Sequence, residues 1–178
     1  MKKIFLIIIP AIAILSGAAF IMISEATLTI TSPSFENNDT IPLKYTCEGP
    51  NVNPKLNIAG IPSGAKTLAL IVEDPDVLME TVDHWVMWNI PVKDKIEENS
   101  APGIQGKNVK KENKYTGPCP PRGTHHYYFK VYALDTDIKL TAGADRRSLE
   151  DAMKDHILAS GELIGLYKKT ASVTISSE

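Results

Sequence analysis

Three of the four histidines in this 178-residue chain lie in two aromatic segments, and two carboxylates stand near them in sequence. His84 belongs to the stretch DHWVMWNIP at 83–91, while His125 and His126 open the stretch HHYYFKVYALD at 125–135. Asp74 and Asp76 follow the apolar run TLALIV at 67–72. Between the two histidine segments runs YTGPCPPRG at 115–123, in which Pro118, Pro120 and Pro121 stiffen the backbone while Gly117 and Gly123 allow close approaches. Imidazoles and loop N–H groups can donate to an anion, and a carboxylate can orient an imidazole or receive a ligand amine. If these segments meet at one rim of a sheet, their chemistry is that of a small anion pocket.

The same residue types have other uses. Each histidine could simply satisfy a hydrogen bond within a sheet. Asp with two His is a metal ligand set, but no H-x-x-x-H or C-x-x-C spacing accompanies it, so neither metal nor cofactor is expected. A nucleophilic hydrolase needs a Ser, Cys or Thr activated by a base, and no G-x-S-x-G elbow is present. Binding without catalysis is therefore the expectation.

The elements that must hold these residues read mostly as strands. Residues 27–31, 41–46, 56–59, 67–72 and 83–91 have strand patterns, and the alternation of Tyr127, Phe129 and Val131 with Tyr128, Lys130 and Tyr132 has a period of two. That alternation puts His125 and His126 where loop becomes strand, a position both rigid and accessible. Residues 92–113 read as a long irregular connection, within which the basic run KNVKKENK at 107–114 reads as a solvated loop. Helix signals come late. Ser148 with Asp151 resembles a capping box, Gly161 is the expected stop, a second helical turn covers 162–168, and 171–175 closes the chain as a strand. Many short strands followed by a helical region predict a mainly β fold: a sandwich of two antiparallel sheets with short peripheral helices near the C-terminus.

A net charge of −2 and a pI near 6.1 provide no broad basic field, which argues against nucleic acid as a partner. Residues 1–26 begin with Lys2 and Lys3 and continue as an apolar run, an export signal or N-terminal membrane anchor preceding one domain at 27–178. Both lysines precede the apolar run, so the domain is expected outside the cytoplasm, either anchored or secreted. Export in turn makes Cys47 and Cys119 candidates for a disulfide that would brace the proline-rich loop, with two free thiols as the alternative.

Asp74-Pro-Asp76, His84-Trp-Val, Asn89-Ile-Pro91, the pattern Y-x-G-P-x-P-P-x-G from Tyr115, His125-x-Tyr127 and Tyr132-Ala-Leu-Asp135 together resemble the phosphatidylethanolamine-binding protein family. The resemblance, strongest to its bacterial and archaeal Raf-kinase-inhibitor-like branch, extends over 27–178. It implies a β-sandwich whose shallow pocket takes phosphate-like anions or phospholipid head groups through Asp74, His84, Gly117, Pro118, His125 and Tyr127, with Asp76 close behind. It also implies a second possibility: inhibition of a serine protease or kinase through a surface loop. Four positions depart from the family pattern. Val77-Leu78 replaces Ala-Pro after Asp76, Asp83 replaces an aromatic before His84, and His126 replaces the arginine common after His125.

Overall fold

The computed structural model describes residues 26–170. The expected signal or anchor at 1–26 therefore lies, apart from its last residue, outside the described residues, as does the expected strand at 171–175. Among the described residues no helix is long and apolar enough to cross a membrane. In chain order the elements are β1 (Ala26–Thr27), β2 (Thr29–Thr31), β3 (Asp39–Thr40), β4 (Leu56–Ala59), β5 (Thr67–Asp74), β6 (Val82–Pro91), β7 (Lys95–Ile96), β8 (Ile104–Gln105), β9 (Thr124–Leu134), α1 (Arg146–Met153) and β10 (Ile157–Lys168). Seven strands form a large sheet in the order β1-β10-β9-β5-β6-β8, with β3 also on β10, and β2-β4-β7 form a small one. Pairing is antiparallel except where β1 and β3 join β10.

The continuous apolar run of β5 follows from its place in the large sheet, where both of its faces are buried. Leu68, Leu70 and Val72 pack with Trp85, Met87, Phe129 and Val131 into the core between the sheets. Ala69 and Ile71 join Val86, Trp88, Leu149 and Met153 in a second core beneath α1. At about 25 cal/mol per Å² of apolar area removed from water, burial on both faces makes this strand costly to expose. β9 shows the expected alternation, with Tyr127, Phe129 and Val131 inward.

Three local expectations are corrected. The strand expected at 41–46 is a 3₁₀ turn at Leu43–Tyr45: Ile41 N–H reaches Leu166 O at 2.8 Å, but Pro42 has no N–H with which to continue the pairing. Helix α1 is capped by Asp145, whose carboxylate accepts the Ser148 N–H at 2.8 Å, so Ser148 sits inside the helix instead of capping it. Gly161 does not end a helix, and 162–168 is not helical; both belong to β10. A Cβ at Gly161 would lie 2.2 Å from Leu28 O, so glycine here allows β10 to pass against the chain between β1 and β2.

Candidate functional site

Antiparallel pairing brings the end of β5, the start of β6 and the start of β9 to one rim, with Asp74 opposite Val82 and Glu73 opposite Tyr128. Two Asp–His pairs form there. Asp74 Oδ2 meets His125 Nδ1 at 2.7 Å, and Asp74 Oδ1 accepts the Asp76 N–H at 2.9 Å. One step outward, Asp76 Oδ2 accepts the His126 N–H at 2.8 Å and meets His126 Nδ1 at 2.7 Å. The inner side chains are 3% and 12% exposed and the outer ones 37% and 47%. Partial burial would raise the Asp76 carboxyl, but the bonds from His126 outweigh it and hold the group below the usual carboxylate range.

His84 reaches this rim through a break in the ladder. β5 and β6 pair Val72 with Trp85 and then Glu73 with Asp83, so His84 is left without a partner across the strand. An extra residue of this kind is a β-bulge, and it re-aims the side chains around it. The His84 ring meets the Tyr127 ring edge-on, with centroids 5.1 Å apart, while Asp83 bonds Arg146 Nε at 2.6 Å. His84 Nδ1 donates to Thr116 O at 2.8 Å, which assigns the remaining nitrogen, Nε2, as its free edge. Burial pulls the His84 pKa below its ordinary value, against smaller upward pulls from the Thr116 carbonyl and the Asp74 charge.

Tyr127 is fully buried, and its hydroxyl completes no hydrogen bond among the described residues. The Asp74 carboxylate and the Cys119 backbone N–H are near enough to influence it without completing a bond. Burial first, and the Asp74 charge second, push the phenol well above its ordinary range, so it stays protonated and able to donate.

The proline-rich loop closes the rim from above. Cys47 and Cys119 form a disulfide with Cα atoms 5.4 Å apart, and the Cys47 N–H also bonds Pro118 O at 3.1 Å. Tyr115 Oη donates to Tyr45 O at 2.7 Å, and Thr116 N–H donates to His84 O at 2.9 Å. Of the N–H groups expected from the Gly117 loop, that of Gly117 itself donates to Asn51 Oδ1 at 2.6 Å. Gly117 is required for close packing instead, since a Cβ there would lie 2.2 Å from Tyr45 O.

These groups enclose a cavity of about 400 Å³ lined by Asp74, His84, Gly117, Cys119 and Tyr127, with Val109 and Lys110 also contributing to its wall. His125 and Asp76 instead line an adjoining groove of about 490 Å³ together with Val77, Leu78 and Arg122. Pro118 lines neither concavity, its carbonyl being spent on Cys47. Lys110 was missed, because the basic run read as a solvated loop. Buried Asn108 turns that run into an ordered structure, accepting the Lys110 and Glu112 N–H groups at 2.9 and 3.0 Å and donating to Lys114 O at 2.9 Å. The only sequence signal was an asparagine at the head of the lysines.

The family model of the phosphatidylethanolamine-binding protein matches residues 31–168. The chain belongs to this family. A UPF0098 protein of Pyrococcus horikoshii is 44% identical, over 95% of this chain and 91% of its own. Among solved structures, a phosphatidylethanolamine-binding protein homologue of Chlamydia trachomatis superposes with a TM-score of 0.78 at 38% identity, over 82% of this chain and 99% of that one. Escherichia coli YbcL, described as a new member of the mammalian family, gives 0.75 at 27%, over 82% and 100%.

In this member of the phosphatidylethanolamine-binding protein family, the four departures named above can now be located. Val77 touches both concavities and Leu78 the outer groove. Asp83 bonds Arg146 and takes no part in the cavity wall, and burial raises its carboxyl pKa despite that guanidinium. His126 engages Asp76.

Proposed function

We propose that this family member binds a phosphate-bearing small anion or phospholipid head group in the 400 Å³ cavity and does not transform it. The carrying observation is Tyr127, which lines the cavity and whose protonated, buried hydroxyl completes no hydrogen bond among the described residues. Leaving such a group unsatisfied costs about 1–3 kcal/mol, which a ligand oxygen would recover. The volume suits a small ligand. The Cys119 N–H, the Lys110 ammonium and a protonated His84 Nε2 complete the donor set. Asp74 need not repel the anion strongly, because both of its oxygens are engaged by donors.

Calorimetric titration of phosphate and phosphoethanolamine into the wild type and Tyr127→Phe tests this reading. The substitution removes one donor to a charged ligand, so affinity is expected to fall at least about tenfold. The free protein should melt no lower than the wild type, because the lost hydroxyl was unsatisfied. Equal affinity in the two proteins would refute the assignment.

A further inference from the structure

A second concavity, of about 220 Å³, shares no lining residue with the anion cavity. Sequence neighbours divide between the two: His84 and Thr116 line the first, Trp85 and Tyr115 the second. Several polar groups around it are already spent. Trp85 Nε1 donates to Gln105 Oε1 at 2.8 Å, and Tyr115 Oη donates to Tyr45 O at 2.7 Å. The buried Asn53 donates to Pro54 O and Glu97 O and accepts the Ser100 N–H.

Two carboxamides on the wall keep one end free, and their partners fix which end that is. Asn51 Oδ1 accepts the Gly117 N–H at 2.6 Å, and Gln105 Oε1 accepts the Trp85 indole N–H. Both partners are donors only, so the oxygens must lie toward them. Asn51 Nδ2 and Gln105 Nε2 are then donors on held side chains, with no acceptor among the described residues. The backbone of this wall is constrained as well. Asn51 at φ 60° and Asn99 at φ 51° are two of the five non-glycine residues with positive φ among the described residues, a conformation that the surroundings must hold. Lys114 adds an ammonium, 61% exposed and 3.2 Å from Glu112, while Val52 and Ala101 add apolar surface.

We propose that this concavity is a second ligand site, for a small monocarboxylate with a short apolar stem. The carboxylate accepts from Asn51 Nδ2 and Gln105 Nε2, Lys114 attracts it, and the stem lies on Val52 and Ala101. Free donors outnumber free acceptors here, which favours a ligand group that only accepts. A phosphate dianion is the poorer match, because the one cation on the wall is exposed and already shares its charge with Glu112. The volume excludes a drug-sized molecule, whose sites begin at about 300 Å³. This site is independent of the anion-pocket reading.

Isobutyrate is the probe, titrated into the full chain while the indole N–H resonances are followed in a proton–nitrogen correlation spectrum. Trp85 is the reporter, because its indole N–H is held by the same Gln105 that donates to the ligand. Trp88 is the internal control, fully buried in the second core with no partner for its indole N–H among the described residues. Gln105→Glu and Asn51→Asp keep the oxygens that accept from Trp85 and Gly117, and replace each free donor by an acceptor.

The expected result is a saturable shift of the Trp85 indole with Trp88 unmoved. Affinity should fall at least about tenfold in Gln105→Glu and in Asn51→Asp, and no more than about fivefold in Lys114→Met. Isobutyramide, which lacks the charge, should bind more weakly, and inorganic phosphate should leave the isobutyrate response in place. A Trp85 resonance that stays still, or moves only together with Trp88, would overturn the proposal, as would unchanged affinity in Gln105→Glu. Isobutyramide bound as tightly as isobutyrate would overturn the carboxylate assignment. A response displaced by phosphate would move the ligand to the anion cavity and leave no second site.

Discussion

The inner and outer Asp–His pairs share one geometry, an Oδ2 to Nδ1 separation of 2.7 Å, and differ in everything around it. Asp74 and His125 are nearly enclosed, and they sit next to a wall formed by the disulfide-braced loop, Tyr127 and His84. Asp76 and His126 are open to water and border a loop whose apolar tip has no cover. Identical distances therefore carry different weight. In water the outer pair competes with solvent, whereas the inner pair fills positions that nothing else can satisfy.

The largest expected effect tests whether the inner wall is held mainly by its brace. The bond joins positions separated by 72 in sequence, for which the chain-entropy account gives about 4 kcal/mol. A Cys47→Ser/Cys119→Ser variant should accordingly melt about 10 °C lower, and calorimetry should show weaker phosphate binding as the loop loosens. An unchanged midpoint would show that the hydrogen bonds around Tyr115 and Gly117 hold the wall unaided.

Next comes the direct contrast of the two acids. Asp74→Ala removes a buried carboxylate and leaves the His125 ring N–H and the Asp76 N–H, both partly buried, without acceptors, at about 1–3 kcal/mol in all. Asp76→Ala breaks an exposed pair, for which about 0–1 kcal/mol is expected. Urea unfolding of both variants measures the difference, and equal losses would abolish the distinction between inner and outer.

Acid sharpens it further. The pKa of His84 lies below its ordinary value of 6.5, so the unfolded chain takes up a proton first as pH falls, and this group costs stability progressively below pH 6.5. Asp76 has the opposite linkage: its lowered pKa contributes stability that is lost only below its ordinary 3.8. Melting curves between pH 7 and pH 5, a range that follows from those two values, should therefore show the His84 cost without any loss from Asp76. Sulfate, whose charge is constant there, should bind more tightly as pH falls, by up to tenfold per unit where His84 must be protonated to donate. A His84→Gln variant should lose that dependence. Chelator treatment, the smallest expected effect, should change neither binding nor melting.

Much of this arrangement was legible in the sequence because it depends on local pattern. The period of two in β9 aimed Tyr127 inward and left His125 at the loop junction, and the apolar run of β5 announced a strand with a carboxylate at its end. The cysteine pair indicated the brace. What was hidden depends on register and on distant partners. No local signal marks the bulge at His84, which exists only relative to β5. The acceptor that takes the Gly117 N–H is Asn51, which sits at φ 60° in a loop 66 residues away. Lys110 reaches the cavity because of the turn that Asn108 organises. β10 was misread because Gly161 and Gly165 interrupt its apolar alternation, although Leu163 and Tyr167 do face inward.

The central claim is that the inner wall is an anion site built around an unsatisfied phenol, and a crystal structure of the phosphate complex tests it most directly. The expected result is phosphate in the cavity, with an oxygen hydrogen-bonded to Tyr127 Oη, another facing the Cys119 N–H, and His84 Nε2 in contact. Phosphate held only by surface lysines, with Tyr127 Oη bonded to Asp74 and no anion beside it, would contradict the account.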